Sequence, residues 1–472
     1  MNAEIKYAHF PGRLLMVGFG SIGQAMLPLL LRHFDIHPLQ ISVIAKSDKG
    51  IAIAREFGVN LTQHTLTSKN YIQVLEPLLG PGDFLLNLSV DISSLALIEL
   101  CRQRGALYLD TCIEPWPGGY TDSSIPTSQR TNYVLRENIL DYARANGPGP
   151  TAVVTQGANP GLASIFVKQA LLNIATDSGI AVEKPKCQED WARLACRLGI
   201  KTIHIAERDT QTTAQRKQHG EFVNTWSVDA FISEGLQPSE LGWGTHERHW
   251  PADGARHKSG CDAAIYLNRP GVATRVHSWT PLEGPYHGFL ITHGESISIT
   301  DHLTLMENGA VVYRPTVHYA YHPCDDAVLS IHEMAGKHWQ PQRSKRIIRD
   351  EIDAGMDELG VLLMNHAKGV YWFGSRLSIE QTRQLAPYNN ATSMQVAAGV
   401  LAGMVWALRN PMVGVVEPDD LDHELILEIA KPYLGEVVGV YGDWSPLNDR
   451  SRLFSEELDE DDPWQFRNMR VI

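Results

Sequence analysis

The most restrictive segment lies near the N-terminus, where Leu14-Leu15-Met16-Val17 runs into Gly18-Phe19-Gly20-Ser21-Ile22-Gly23 and then into an apolar-periodic stretch ending at His33. A short buried strand, a GxGxxG turn and an amphipathic helix in that order form the dinucleotide-binding fingerprint. Gly18 permits the tight turn, Gly20 lets a pyrophosphate approach the backbone, and Gly23 lets helix and sheet pack closely. The helix N-terminus, with Ser21 and Ile22 in its first turn, faces the anion. The alternative is a glycine-rich turn in a purely structural α/β unit, but the flanking strand and helix are both in place.

Short apolar runs alternate with helical patterns through the first 160 residues. Strands are predicted at Leu14 to Gly18, Ile41 to Ala45, Phe84 to Leu88, Ala106 to Leu109 and Ala152 to Thr155. Helices are predicted at Ile22 to His33, Ile51 to Phe57, Tyr71 to Leu79 and Ser93 to Arg104. This predicts an α/β fold, a Rossmann-type doubly wound parallel sheet, followed by a second α+β catalytic domain of mixed strands. The expected division is a dinucleotide domain over residues 1–158, completed by a helix over 389–410, a substrate and dimerisation domain over 159–388, and a C-terminal extension with an acidic tail over 411–472. The second strand ends Val43-Ile44-Ala45-Lys46-Ser47-Asp48, so Ala45 stands where an acid usually grips the adenosine ribose. Asp48 could reach the ribose from the loop, whereas Lys46 and Ser47 could accept a 2′-phosphate; this segment leaves NAD and NADP both open.

In an open α/β sheet, ligands bind beyond the carboxyl ends of the strands. Those ends read Asn87-Leu88-Ser89-Val90-Asp91, Asp110-Thr111-Cys112-Ile113-Glu114-Pro115-Trp116 and Gly157-Ala158-Asn159-Pro160-Gly161. Each alone suits a turn or cap; three in one sheet point to a site. Between His204 and Trp250 the chain concentrates Glu207, Asp209, Trp226, Asp229, Glu234, Glu240, Trp243 and Glu247. Carboxylates anchor protonated amines and an indole face holds an ammonium, so this mixture suits an organic cation. Arg208, Arg248 and Arg256 occur there too, and a solvated surface over ordinary core tryptophans is the competing reading. His293 is a candidate general base among 19 histidines, because imidazole titrates near neutral pH.

A formal charge of −13 has the wrong sign for gripping a phosphate backbone, although six of those charges lie in the run Glu456 to Asp462. Nucleic acid is therefore not an expected partner. The longest uninterrupted apolar stretch, Val396 to Leu408, is 13 residues, short of the roughly 20 that cross a bilayer, and reads as a buried helix. No signal-peptide pattern opens the chain, so a cytoplasmic location without membrane association is expected. The six cysteines form no CxxC pair, and His332-Glu333 is followed by Gly336 where a zincin helix needs histidine. No metal site is expected.

Taken in order, GFGSIG (Gly18 to Gly23), NLSVD (Asn87 to Asp91), EPW (Glu114 to Trp116), GANPG (Gly157 to Gly161), HIAERDTQ (His204 to Gln211), FVNTWSV (Phe222 to Val228), SEGLQP (Ser233 to Pro238), ELGWGT (Glu240 to Thr245), THGESISI (Thr292 to Ile299) and RPTVHYAYHPCDDAVLS (Arg314 to Ser330), with DPWQFRN near the end, resemble the bacterial homospermidine synthase family from end to end. That family is related to the saccharopine and carboxynorspermidine dehydrogenases. The resemblance implies NAD as cofactor, a homodimer, and aminobutyl transfer joining two putrescines, or spermidine and putrescine, with loss of ammonia and no net redox. It implies that Asp91, Glu114, Glu207 and Glu234 line the diamine site and that Trp226 holds the cationic intermediate. Glu234 and His293 would assist proton transfer, Glu207 would orient the inner amine, and Asn159 and Pro160 would position the nicotinamide end. Asn87, Ser89, Val90, Asp110, Thr111, Gly157 and Ala158 join the glycine turn as expected cofactor contacts. The enzymatic alternative is a carboxynorspermidine- or saccharopine-type dehydrogenase performing net reductive amination. A non-catalytic dinucleotide-binding regulator is the non-enzymatic one.

Overall fold

A computed structural model describes residues 5–471. Its first sheet has the order Val415–Val416, Ala152–Val153, Leu107–Asp110, Phe84–Asn87, Leu14–Val17, Ile41–Ala45, Asn60–Gln63. All of its pairings are parallel. The central strands are buried on both faces because crossover helices cover both, which is why they read as continuous apolar runs. The two edge strands are not visible as patterns: Asn60–Gln63 is largely exposed and polar, and Val415–Val416 is two residues arriving from far along the chain. Helices Ser21–His33 and Ser94–Arg104 lie where the periodicity puts them; Ser93 caps the latter and Gly105 ends it in the left-handed region at φ 71°. Helix Asn132–Asn146 escapes the pattern, because its buried face carries Arg136 and Glu137 beside Tyr133 and Ile139.

The second sheet is mixed, in the order Gly254–Arg256, Ala264–Pro270, Pro238–Gly242, Thr316–His322, Thr202–Asp209, Met356–His366, Gly369–Ser378, Glu436–Gly442, with Arg275–Thr280 and Gly284–Phe289 attached beside Thr316–His322. Helix Leu162–Asp177 covers it, and helix Ala391–Arg409 packs between its strands and helix Ser21–His33 of the first sheet. By length and composition Ala391–Arg409 could span a bilayer, yet 89% of its most apolar window is buried inside the protein. Gly399 allows its closest approach: a Cβ there would come within 2.0 Å of the Gly157 carbonyl. The segment after residue 410 contributes an edge strand to each sheet. The acidic run near the end is likewise docked: Glu456 pairs with Arg450, Glu457 with Arg467, Asp459 with Arg248 and His249, and Asp462 with Lys201. Four of the six acids of that run are therefore paired locally.

Candidate active site

The glycine turn opens a cleft of about 650 Å³ lined by Gly18, Gly20, Ser21, Ile22, Ser89, Val90 and Asp91, with Ala45, Lys46, Ser47, Lys49 and Arg349 along the same wall. Gly18 has φ 91°, and a Cβ there would meet the Leu88 carbonyl at 2.5 Å. A Cβ on Gly20 would meet nothing within 4 Å. The absence of a side chain at Gly20 is thus unnecessary for the fold and leaves room over the helix N-terminus for a phosphate. Gly23 closes the turn from inside, since its Cβ would lie 2.8 Å from the Gly18 carbonyl. The Gly20→Ala variant is therefore expected to fold with an unchanged melting temperature and to bind NAD at least 10-fold more weakly, by titration of dinucleotide fluorescence; equal affinity would remove the pyrophosphate from this turn.

Other expected cofactor contacts lie deeper. Asp110 is buried and accepts the Thr155 N–H and the Tyr108 hydroxyl, both at 2.7 Å. Burial raises its carboxyl to about 6, against those hydrogen bonds. Asn87 donates to Tyr108 at 3.2 Å and accepts from Ser89. Gly157 and Ala158 are buried in the turn against helix Ala391–Arg409, with Thr111 alongside Gly157. These residues shape the strand ends, and Ser89 is the one among them that reaches the cleft lining.

The second domain's contribution follows from strand alternation. Strand Thr202–Asp209 runs parallel to Thr316–His322, with Ile205 opposite Tyr319 and Glu207 opposite Tyr321, and antiparallel to Met356–His366, with Asp209 opposite Asp357. Glu207, Asp209, Tyr319, Tyr321 and Asp357 therefore share one face. On it, the Tyr319 hydroxyl donates to Glu207, the Asn159 amide donates to Glu207 and, at 2.8 Å, to Tyr319, and the rings of Tyr319 and Tyr321 stack at 5.1 Å. Burial raises Glu207 to about 7 even though both hydrogen bonds oppose the shift. Trp226, half-buried, donates its indole N–H to Tyr321 at 3.1 Å and packs on Phe231.

His293 stands at the N-terminal boundary of helix Gly294–His302 without a side-chain capping bond, and lies 3.3 Å from Glu234 and 3.7 Å from Glu295, with its ring 4.4 Å from that of Tyr319. Burial alone would lower its pKa, but the two carboxylates outweigh burial and push it up to about 10. The two carboxylates thus favour the imidazolium form of the residue expected to assist proton transfer. Glu114 accepts the Asp91 N–H at 3.3 Å; burial, then the nearby charge of Glu234, drives its carboxyl well above the usual range. Asp91 has φ 66°, tolerable for an aspartate. Among the described residues, none of Glu114, Glu207, Glu234 and Glu295 pairs with a lysine or arginine. Arg208 turns to the opposite face toward Glu283 and Asp325, Arg248 goes to Asp459, and Arg256 sits over Trp250.

Several acids of the His204 to Trp250 segment fall outside this cluster. Glu247 accepts from Thr316 and the Phe466 N–H, Trp243 packs on Trp250 and Phe466, and Asp229 pairs with Lys345 at the cofactor cleft. The sequence reading missed Glu295, Tyr319, Tyr321 and Asp357. Glu295, two residues after His293, and the Tyr-x-Tyr alternation of Thr316–His322 were the available signals.

A family model described as the saccharopine dehydrogenase NADP binding domain matches residues 14–153, and one described as the saccharopine dehydrogenase C-terminal domain matches residues 157–443. Homospermidine synthase of Blastochloris viridis is 55% identical over 469 residues, covering 98% of both chains. The chain belongs to the homospermidine synthase family. Homospermidine synthase of Mesorhizobium japonicum is 51% identical over 473 residues, covering 98% of this chain and 97% of that one. The crystal structure of homospermidine synthase from Legionella pneumophila in complex with NAD has a TM-score of 0.93 at 51% identity, covering 98% of each chain. The end-to-end resemblance thus holds, and membership of this family extends over both domains.

Proposed function

We propose that the chain is an NAD-dependent aminobutyl transferase that joins two putrescines, or spermidine and putrescine, into homospermidine with release of ammonia. The observation carrying this reading is the buried group of Glu114, Glu207, Glu234 and Glu295, which among the described residues has His293 as its cationic side-chain partner and no lysine or arginine. A buried surplus of carboxylate is costly unless a cation neutralises it, and a diammonium chain supplies two charges on an apolar tether. A carboxylate-bearing partner would require arginines facing the site, and those nearby are committed elsewhere. That favours the transferase over a saccharopine- or carboxynorspermidine-type dehydrogenase.

Gly18, Gly20, Ser21, Ile22, Ser89 and Val90 would hold NAD, with Asn159 and Pro160 at its nicotinamide end. NAD, when bound, supplies a hydride acceptor and returns the hydride, so the overall reaction has no net redox. Asp91 and Glu114 line the outer part of the diamine path, and Glu207, fixed by Tyr319 and Asn159, orients the inner amine. Trp226 stabilises the cationic imine through its ring face, while His293 and Glu234 hand a proton to the departing ammonia and receive one from the attacking amine. The enzyme acts on free diamines as a cytoplasmic homodimer, without nucleic acid or membrane. Supplied with putrescine, a carboxylated aldehyde partner and NADH, it should oxidise no NADH; stoichiometric oxidation with product would favour the dehydrogenase.

The charge state of Glu207 has a measurable consequence. Raised to about 7, it is largely neutral at pH 6 and must ionise to pair with an ammonium. Diamine affinity should rise as pH increases from 6 to 8, and binding near pH 6.5 should release roughly three-quarters of a proton. Calorimetry in buffers of different ionisation enthalpy measures this; proton uptake on binding would contradict the assignment.

A further inference from the structure

Glu240, Thr292 and Asn132 form a cluster outside the carboxylate site that no step above uses. Glu240, on strand Pro238–Gly242, is completely buried. It accepts the backbone N–H of Asn132 at 2.7 Å and of Tyr133 at 3.1 Å, the first two residues of helix Asn132–Asn146, and the Thr292 hydroxyl at 2.7 Å. The Asn132 side chain donates to the same hydroxyl at 3.1 Å, closing a ring across three chain segments. Thr131 already accepts the Val134 N–H, so Glu240 satisfies the remaining donors at the start of that turn and faces its positive end. A cap would need only the two main-chain donors. The third bond goes to the residue immediately before His293.

We propose that Glu240 is a positioning residue for the transfer: through Thr292 it fixes the backbone that presents His293 to Glu234 and Glu295, and through helix Asn132–Asn146 it ties that backbone to the edge strand Val415–Val416 of the first sheet. This rests on the function proposed above for the same site. Besides Glu234 and Glu295, Tyr319 and Glu207 face His293; besides its three donors, Glu240 faces His257 at 3.9 Å.

The test is the pH titration of the His293 imidazole by NMR in the full chain, beside kcat–pH profiles, for wild type, Glu240→Gln, Thr292→Val and Thr292→Ser. With its carboxylate partners loosened, His293 in Glu240→Gln and Thr292→Val should titrate at least one pH unit lower. In both variants kcat with putrescine should fall about 10-fold or more with its alkaline limb moved the same way, and NAD affinity should stay unchanged. Thr292→Ser keeps the hydroxyl and should restore most of both. A lower melting temperature with an unmoved His293 titration would make Glu240 a helix cap only and overturn the proposal. A wild type that makes no homospermidine would refute the function instead, while the His293 titration would still decide the role of Glu240.

Discussion

The Glu207→Gln variant is expected to lose a factor of 10²–10³ in kcat/KM for putrescine while keeping its fold. The substitution removes the charge and preserves the shape. Glutamine can present its amide oxygen to both donors, because Tyr319 and Asn159 donate to the same oxygen, Oε2 of Glu207, and only the charge at Oε1 is lost. Taking one partner from a buried charge pair costs about 2–5 kcal/mol, and each 1.4 kcal/mol is tenfold. Stability should not suffer: Glu207 is already raised to about 7 by burial, so a neutral group suits the empty site. A melting temperature equal to or above that of wild type beside the kinetic loss would separate binding chemistry from folding. A kcat/KM within threefold of wild type would remove Glu207 from the diamine site.

Trp226 gives the second large effect. Its ring lies beside Tyr321 and Phe231 at the rim of the same strand face, half-buried, with an indole N–H bonded to Tyr321 at 3.1 Å. A desolvated cation over an indole is worth about 2 kcal/mol, so Trp226→Ala should lower kcat roughly 30-fold or more, compounded by lost packing. Trp226→Phe keeps an aromatic face and loses only the bond to Tyr321, and should retain much of the activity. The ratio of the two variants is the informative quantity. Equal activity of wild type and Trp226→Ala would end the cation–π role.

What the sequence makes legible is what is local. The strand, glycine turn and helix from Leu14 to His33 are contiguous, and the conformational need for Gly18 and Gly23 is written within that segment. The central parallel strands are legible because burial on both faces leaves an apolar run. Asn60–Gln63 and Val415–Val416 pair on one side only at the sheet edges and pack just Leu61, Val415 and Val416 against the cores, too few apolar positions to make a pattern. Helix Asn132–Asn146 is hidden because its inward face is polar: Arg136 lies buried between Glu417 and Asp301 instead of in water. The site follows the same rule. Glu207 can be named from its segment, but its partners Asn159 and Tyr319 lie 48 and 112 residues away and become visible only when the two strands pair. His293 is singled out by Glu234, 59 residues earlier, and by Glu295, and only the fold shows that together they favour its imidazolium form. Asp110 shows the same limit: its polar strand end is legible, but the bonds its carboxylate accepts from Thr155 and Tyr108 are not.

The central claim is that a buried carboxylate cluster beside a dinucleotide cleft joins diamines without consuming the dinucleotide. Its most direct test is to incubate the purified protein with putrescine and NAD at far below the diamine concentration, and to quantify homospermidine, ammonia and NADH. The account predicts many turnovers per NAD, one ammonia per homospermidine and no accumulation of NADH. Product or NADH limited to one equivalent of cofactor would contradict it and make the chain an ordinary amine dehydrogenase.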